Sequence, residues 1–209
     1  MKTLVKATSI LFLSILFLSA CSESNTATPT EGEQYSLLPE ALPAGSLAPV
    51  TEVFSLTCGH CRKMEDFIPM ISDSIGTDIG KMHVTFNQSA YTSAMFYYAA
   101  EMQLGTEPDH EFMDELFAAI QSDSDATEQQ RMAELEKIFT SRGLISPFQF
   151  NEQQQQKVTH KVEQAQQLSQ LSAINAVPTF VVNGRYQVIV GGHSDPQKIA
   201  DTISYLLTK

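Results

Sequence analysis

Tryptophan is absent from this 209-residue chain, and cysteine occurs only three times. So few cysteines exclude a disulfide-stapled scaffold, which needs several bridges to stand in for a core. Basic residues are scarce as well: 13 Lys and Arg stand against 24 Asp and Glu, a formal charge of −11. With no basic cluster anywhere, the electrostatic footprint of a nucleic-acid binder is missing. The acidity itself speaks for solubility rather than for a partner. Against these absences stands one close cysteine pair, Cys58 and Cys61 in SLTCGHCRKM, flanking Gly59 and His60. On their own the two thiols fit a structural clip, half of a metal site, or a redox couple that opens and closes.

The third cysteine lies near the N-terminus. Lys2 and Lys6 flank a charged start, and the apolar run Leu11–Leu18 that follows is too brief to span a membrane as a mature helix. That pattern reads as a secretory signal. Leu18-Ser19-Ala20-Cys21 resembles the lipobox of bacterial lipoproteins, which implies removal of residues 1–20 and a lipid on the Cys21 sulfur. Ser22 follows where Asp would favour the inner membrane, so the outer membrane is the expected destination. Residues 22–33 (SESNTATPTEGE) are polar and apolar-poor and read, with Cys21, as a flexible tether. Its r.m.s. span is about 20 Å. With Cys21 given to lipid, a single thiol pair remains in an oxidising compartment. A domain of this size has core enough to hold without one disulfide.

From Gln34 onward the pattern is that of a folded domain. Strands are expected at Gln34–Leu38, Val50–Leu56 and Met82–Phe86, and a helix from Cys58 past Met64 to Ile68, stopped or kinked by Pro69. The middle reads as helical: Tyr91–Leu104, the Phe112/Leu116/Phe117/Ile120 stripe, and a capping box at Thr127 and Gln130 leading to Gly143. Val158, Val162, Ala165, Leu168 and Leu171 stripe a further long helix. Thr179–Val182 and Tyr186–Val190 flank Asn183-Gly184, a short hairpin signal, and Ser194-Asp195-Pro196 opens a last helix. The order of elements predicts an α/β sheet interrupted by an all-helical insert. The expected division is 34–87 with 172–209 for the sheet-bearing part and 88–171 for the insert.

A thiol attacks only as its thiolate. Cys58 sits where a strand gives way to a helix, facing unpaired backbone N–H groups and the positive end of the helix dipole, both of which favour the anion. Cys61, one turn on, reaches Cys58 while lying deeper, as a resolving thiol must. Gly59 adds neither bulk nor restriction, and His60 brings partial or full positive charge beside the thiolate. Glu52 stands inside an apolar strand, where an ionised carboxylate is costly, and beside a buried thiol it would exchange the proton of Cys61. Val177-Pro178 precedes the strand Thr179–Val182; a cis bond there would present the Val177 backbone to a substrate strand.

E-V-F-S-L-T-C-G-H-C followed far downstream by V-P-T-F-V-V-N-G-R-Y, with a helical block between, resembles the DsbA family of periplasmic thiol:disulfide oxidoreductases. The likeness runs from about Gln34 to Lys209 and implies a thioredoxin fold with an inserted all-helical domain. It makes Cys58 the nucleophile, Cys61 the resolving thiol and His60 the thiolate stabiliser. Glu52 and Glu65 take the places of the family's acidic residues, and Val177-Pro178 that of its cis-proline pair. It implies no cofactor, a monomer, reduced exported proteins as substrates and a DsbB-like membrane quinone reductase as one candidate reoxidant. A tether from the outer membrane would hinder contact with such a partner, so sorting is to the inner membrane or reoxidation comes from elsewhere.

The commonest family motif is C-P-H-C, whereas Gly59 gives C-G-H-C, the dipeptide of protein disulfide isomerases. The family oxidant stands at about −120 mV, the isomerases at about −180 mV and thioredoxin at about −270 mV. Gly59 therefore leaves a reductase or isomerase as the alternative direction. A zinc module using Cys58, His60 and Cys61, with His193 as a fourth ligand, is the alternative of another class; it lacks the second ligand pair that structural zinc sites show, and no metal is expected. A clip this short contributes little. The remaining histidines (His83, His110, His160 and His193) are expected on the surface or in local hydrogen bonds.

Overall fold

Apolar β-branched and aromatic runs lay down a five-stranded sheet in the computed structural model, which describes residues 28–122 and 126–209. β1 (Tyr35–Leu37), β2 (Val50–Phe54) and β3 (Gly80–His83) precede a helical stretch, and β4 (Thr179–Val182) and β5 (Tyr186–Val188) follow it. The spatial order is β1-β5-β4-β2-β3, with β2 and β3 parallel and every other pairing antiparallel. β2 therefore lies inside the sheet, and all five of its residues are buried. Asn183 and Gly184 both take positive φ in the loop joining β4 to β5, the conformation that this dipeptide favours.

The crossover from β2 to β3 is two helices, α1 (Gly59–Glu65) and α2 (Ile68–Ile75), where one was expected. The break falls at Asp66 and Phe67, so Pro69 sits in the first turn of α2 instead of ending α1. A proline is tolerated there because those N–H groups have no intrahelical partner. Between β3 and β4 run α3 (Gln88–Leu104), α4 (His110–Ile120), α5 (Glu128–Ser141) and α6 (Glu152–Leu171), and α7 (Pro196–Leu207) closes the chain. Thr127 and Asn151 both form capping boxes, and Asp195 caps α7. The third strand is shorter than expected and displaced toward the N-terminus, and the fifth gives way after Val188 to a 3₁₀ turn at Val190–Gly192. The second strand stops at Phe54, two residues before its expected end.

Two apolar clusters sandwich the sheet. The larger joins Val53, Phe54 and Val181 to α3–α6, with Phe96, Tyr97, Phe112, Leu116, Phe117 and Phe139 at its centre. The smaller packs Val50, Phe180, Val182 and Val188 under Met64, Ile71, Ile199 and Ile203. Val158, Val162 and Ala165 of the α6 stripe are buried, whereas Leu171 at its end is exposed. β3 is a sheet edge, yet its outward amides are occupied: Lys81 N donates to Glu107 Oε1 (2.9 Å) and His83 N to the Tyr98 hydroxyl (3.0 Å). Both acceptors come from the helical stretch, which covers an edge that would otherwise invite pairing.

The secretory signal, the lipobox with Cys21 and most of the tether lie outside the described residues.

Candidate active site

β2 delivers the chain into a tight turn. Thr57 N donates to Ser55 Oγ (3.2 Å) and Cys58 N to Ser55 O (2.9 Å), which places Cys58 at the N-cap of α1 in an extended conformation (φ −95°, ψ 113°). A side chain at an N-cap meets the unpaired amides of the first turn. Accordingly Cys58 Sγ accepts from Cys61 N at 3.1 Å. Cys58 is half-buried and Cys61 fully buried, and both are free thiols.

This geometry splits the two acidities. A hydrogen bond from the Cys61 thiol, then the backbone amides of Cys61 and His60, and last the charge of His60 bring the Cys58 pKa down to about 6 against the opposing effect of burial. Burial, together with the neighbouring Cys58 sulfur, pushes the Cys61 thiol far upward. The Cys58 Sγ also lies 3.6 Å from the Val177 carbonyl oxygen, 119 residues on, and the Val177-Pro178 peptide bond is cis. His60 is exposed and, with Met64, Phe67, Val177, Pro178 and Ile189, lines a mainly apolar groove of about 480 Å³.

Beneath the thiols lies a buried charge cluster. Glu52 and Lys81 pair across β2 and β3, and Lys81 Nζ reaches Glu52 Oε2 (2.6 Å) and Glu65 Oε2 (2.8 Å). None of the three side chains is more than 6% exposed. Burial holds the Glu52 carboxyl above its usual range, opposed by Lys81 and reinforced by Glu65 and Cys58. Burial disfavours the Lys81 ammonium, but the two carboxylates outweigh it and hold its pKa above the usual value. Glu52 Oε1 has no hydrogen-bond partner. The exposed His110 stands 3.8 Å from Glu65 Oε1.

Cys58, His60, Cys61, Glu52, Glu65, Val177 and Pro178 thus cluster at the junction of β2, α1 and β4. Lys81, His83 and Gln121 were not singled out. His83 meets the second of the two expectations, a local hydrogen bond, but in full burial: its Nδ1 faces Val84 O (2.7 Å) and its Nε2 accepts from Leu56 N (2.9 Å). Burial lowers its pKa to about 3, so it is neutral. A histidine between Met82 and Val84 in an apolar strand was the available signal. Gln121 donates to the carbonyls of Leu56 (2.8 Å) and Cys58 (3.1 Å). His193 has one ring nitrogen 2.9 Å from Ile189 O and the other 2.8 Å from Thr202 Oγ1, leaving neither for zinc. Among the described residues no group of three His, Cys, Asp or Glu is arranged to hold a metal ion.

A strand-to-helix turn that presents one acidic thiol and backs it with a buried one, opposite a cis-proline, defines a thioredoxin-fold dithiol protein. The chain belongs to the thioredoxin family, whose model, described as "Thioredoxin", matches residues 45–204. It is 27% identical over 198 residues to the "Thiol:disulfide interchange protein DsbA" of Salmonella typhimurium, covering 89% of this chain and 92% of the relative. The DsbA crystal structure from Xylella fastidiosa superposes with a TM-score of 0.66 at 21% identity, over 86% of this chain and 96% of that one. DsbA from Pseudomonas aeruginosa superposes with a TM-score of 0.64 at 21% identity, over 86% and 93% respectively. Its fold is thioredoxin-like, and its enzyme class is protein-disulfide oxidoreductase.

Proposed function

We propose that this protein donates a Cys58–Cys61 disulfide to reduced exported proteins. The observation that carries the reading is the asymmetry of the two thiols: Cys58 is depressed to about 6 and half-buried, while Cys61 is raised and buried. A substrate thiolate attacks Cys58 Sγ, the Cys58–Cys61 bond breaks, and Cys61 leaves with the electron pair and takes a proton. A second substrate thiolate attacks the substrate sulfur of the mixed disulfide, and Cys58 leaves as its stable thiolate. The substrate loses two electrons and two thiol protons, one held by Cys61 and one released to solvent. A stable leaving thiolate favours this oxidising direction.

In this reading Glu52 and Glu65 tune the proton exchange of Cys61, Val177 and Pro178 align the substrate backbone, and the apolar groove accepts its flanking side chains. Residues 34–87 and 172–209 act as the redox unit and 88–171 as its helical cover. The Leu18–Cys21 lipobox supports a periplasmic location with a lipid anchor, lost in Cys21→Ser, which would be recovered in the soluble fraction.

Two measurements test the reading. Cys61→Ser should trap mixed disulfides through Cys58, and failure to trap any exported protein counts against it. The equilibrium of the pair with glutathione decides direction: a potential near the −270 mV or so of thioredoxin assigns a reductase instead. With no tryptophan in the chain, thiol labelling is the readout.

A further inference from the structure

Resting on the disulfide-exchange reading above, we propose that Gln121 is a positioning residue that clamps the turn carrying Cys58 from the helical stretch. Gln121 is the C-cap of α4, and its own N–H stays with the helix, donating to Phe117 O. Its side chain turns away and spends its amide on two carbonyls, Leu56 O at 2.8 Å and Cys58 O at 3.1 Å. Leu56 N is meanwhile held by the His83 ring at 2.9 Å, so side chains grip both ends of the residue that starts the turn. The end of α4 is itself anchored: Leu116 and Phe117 are fully buried, and Phe117 meets Phe54 edge-on at 6.1 Å.

The carbonyl of Cys58 matters because it also accepts the first amides of α1, from Cys61 (3.1 Å) and Arg62 (3.2 Å). Its direction therefore sets how the amides of residues 60 and 61 face Cys58 Sγ. The next residue, Gly59, contributes no stiffness of its own, and a Cβ placed on it meets no atom within 4 Å. An outside clamp supplies what the local sequence lacks. A proline at 59 would supply stiffness covalently. Cys58 already has the extended conformation that a following proline demands, and the first helical position tolerates its missing N–H. The amides that hold the thiolate belong to residues 60 and 61, not 59.

The test uses the purified protein in the exchange of its disulfide with two glutathione thiols, giving the dithiol and oxidised glutathione, together with the pH profile of Cys58 alkylation. Gln121→Met is expected to make the couple about tenfold less oxidising, which is about 30 mV, and to move the Cys58 profile to higher pH. Gly59→Pro should shift both readouts further in the Gln121→Met background than in the otherwise wild-type chain, because only there does it replace a missing clamp; equal shifts in the two backgrounds would mean that proline and Gln121 act independently. Gln121→Glu keeps the shape and replaces the donor by an acceptor, so it should shift both readouts in the same direction even where Gln121→Met does not fold. Folded variants with wild-type exchange constants and alkylation profiles overturn the positioning role, as does a Gly59→Pro effect that is no larger with Gln121→Met than without it. A wild-type protein that exchanges no disulfide with glutathione overturns the proposed function and this role together.

Discussion

At the residue scale the chemistry rests on hydrogen bonds, that of the Cys61 thiol first and the backbone amides after it, more than on charge. Among the influences lowering the Cys58 pKa, the hydrogen bonds from Cys61 and from the amides of residues 61 and 60 exceed the charge of His60. His60→Ala should therefore raise the alkylation midpoint of Cys58 only slightly above its value of about 6, and a large rise would show that charge dominates. The sign of the accompanying stability follows from linkage. An unfolded cysteine titrates near about 8.5. Between pH 6 or so and that value, the unfolded chain holds a proton that folded Cys58 has released. The dithiol form should thus gain stability as pH rises through this window and lose the gain as pH falls back through the folded value; above about 8.5 the trend reverses, because the unfolded chain then releases the Cys61 proton that the fold retains. Urea unfolding at several pH values checks this. Cys58→Ser, which cannot ionise there, should be flat by comparison.

At the element scale β3 (Gly80–His83) is the supporting piece, for its Lys81 and His83 stand beside Glu52 and Phe54 of β2. Lys81→Met would leave the Glu52 and Glu65 carboxylates buried without a counter-charge, a loss of about 3–5 kcal/mol at neutral pH. The Glu52 carboxyl, already held above its usual range, would then rise further, so the deficit should shrink as pH falls and it takes up a proton. A deficit unchanged at acid pH would count against this account. His83 works through the opposite sign. Held neutral with a pKa of about 3, it stabilises the fold fully above its unfolded value of about 6.5, and that contribution is lost as pH falls from there toward 3. The slope reaches about 1.4 kcal/mol per pH unit. His83→Gln keeps an acceptor for Leu56 N and cannot ionise, so its acid unfolding should lack that slope. The strand was legible in outline, but these roles were not. Cys58, Cys61 and Glu52 carry a local signal: two thiols one turn apart, and a carboxylate in an apolar run. His83 carries a weaker one, a histidine in an apolar run, while Lys81 acquires its role only from the register with β2, and Gln121 only from the packing of α4, which no spacing along the chain encodes. The break between α1 and α2 was hidden for a related reason: Pro69 suits a helix start as well as a helix end.

At the scale of the whole molecule the helical stretch α3–α6 does more than cover the larger core cluster. It meets the rest of the fold at polar contacts that reach the turn carrying Cys58 through Gln121, the charge cluster through His110, and the free edge of β3 through Glu107 and Tyr98. The helices themselves were legible from the capping box at Thr127 and from 3.6-residue periodicity. Their docking was not, because a glutamate and a tyrosine capping strand amides look like ordinary polar residues in sequence. The docking makes a local prediction. The amides of Lys81 and His83 have side-chain acceptors in place of a neighbouring strand, so each acceptor controls one amide. Tyr98→Phe should strip protection from the His83 amide, Glu107→Ala from that of Lys81, and each should cost about 1–3 kcal/mol for a buried donor left unpaired. Glu107→Gln retains an acceptor oxygen and should preserve the Lys81 amide. Native-state hydrogen exchange read residue by residue separates these outcomes. β2, bonded on both sides within the sheet, should keep its protection in all three variants. Uniform acceleration across β2 and β3 would instead mean that the helical stretch stabilises the sheet only globally, without gripping its edge at these two points.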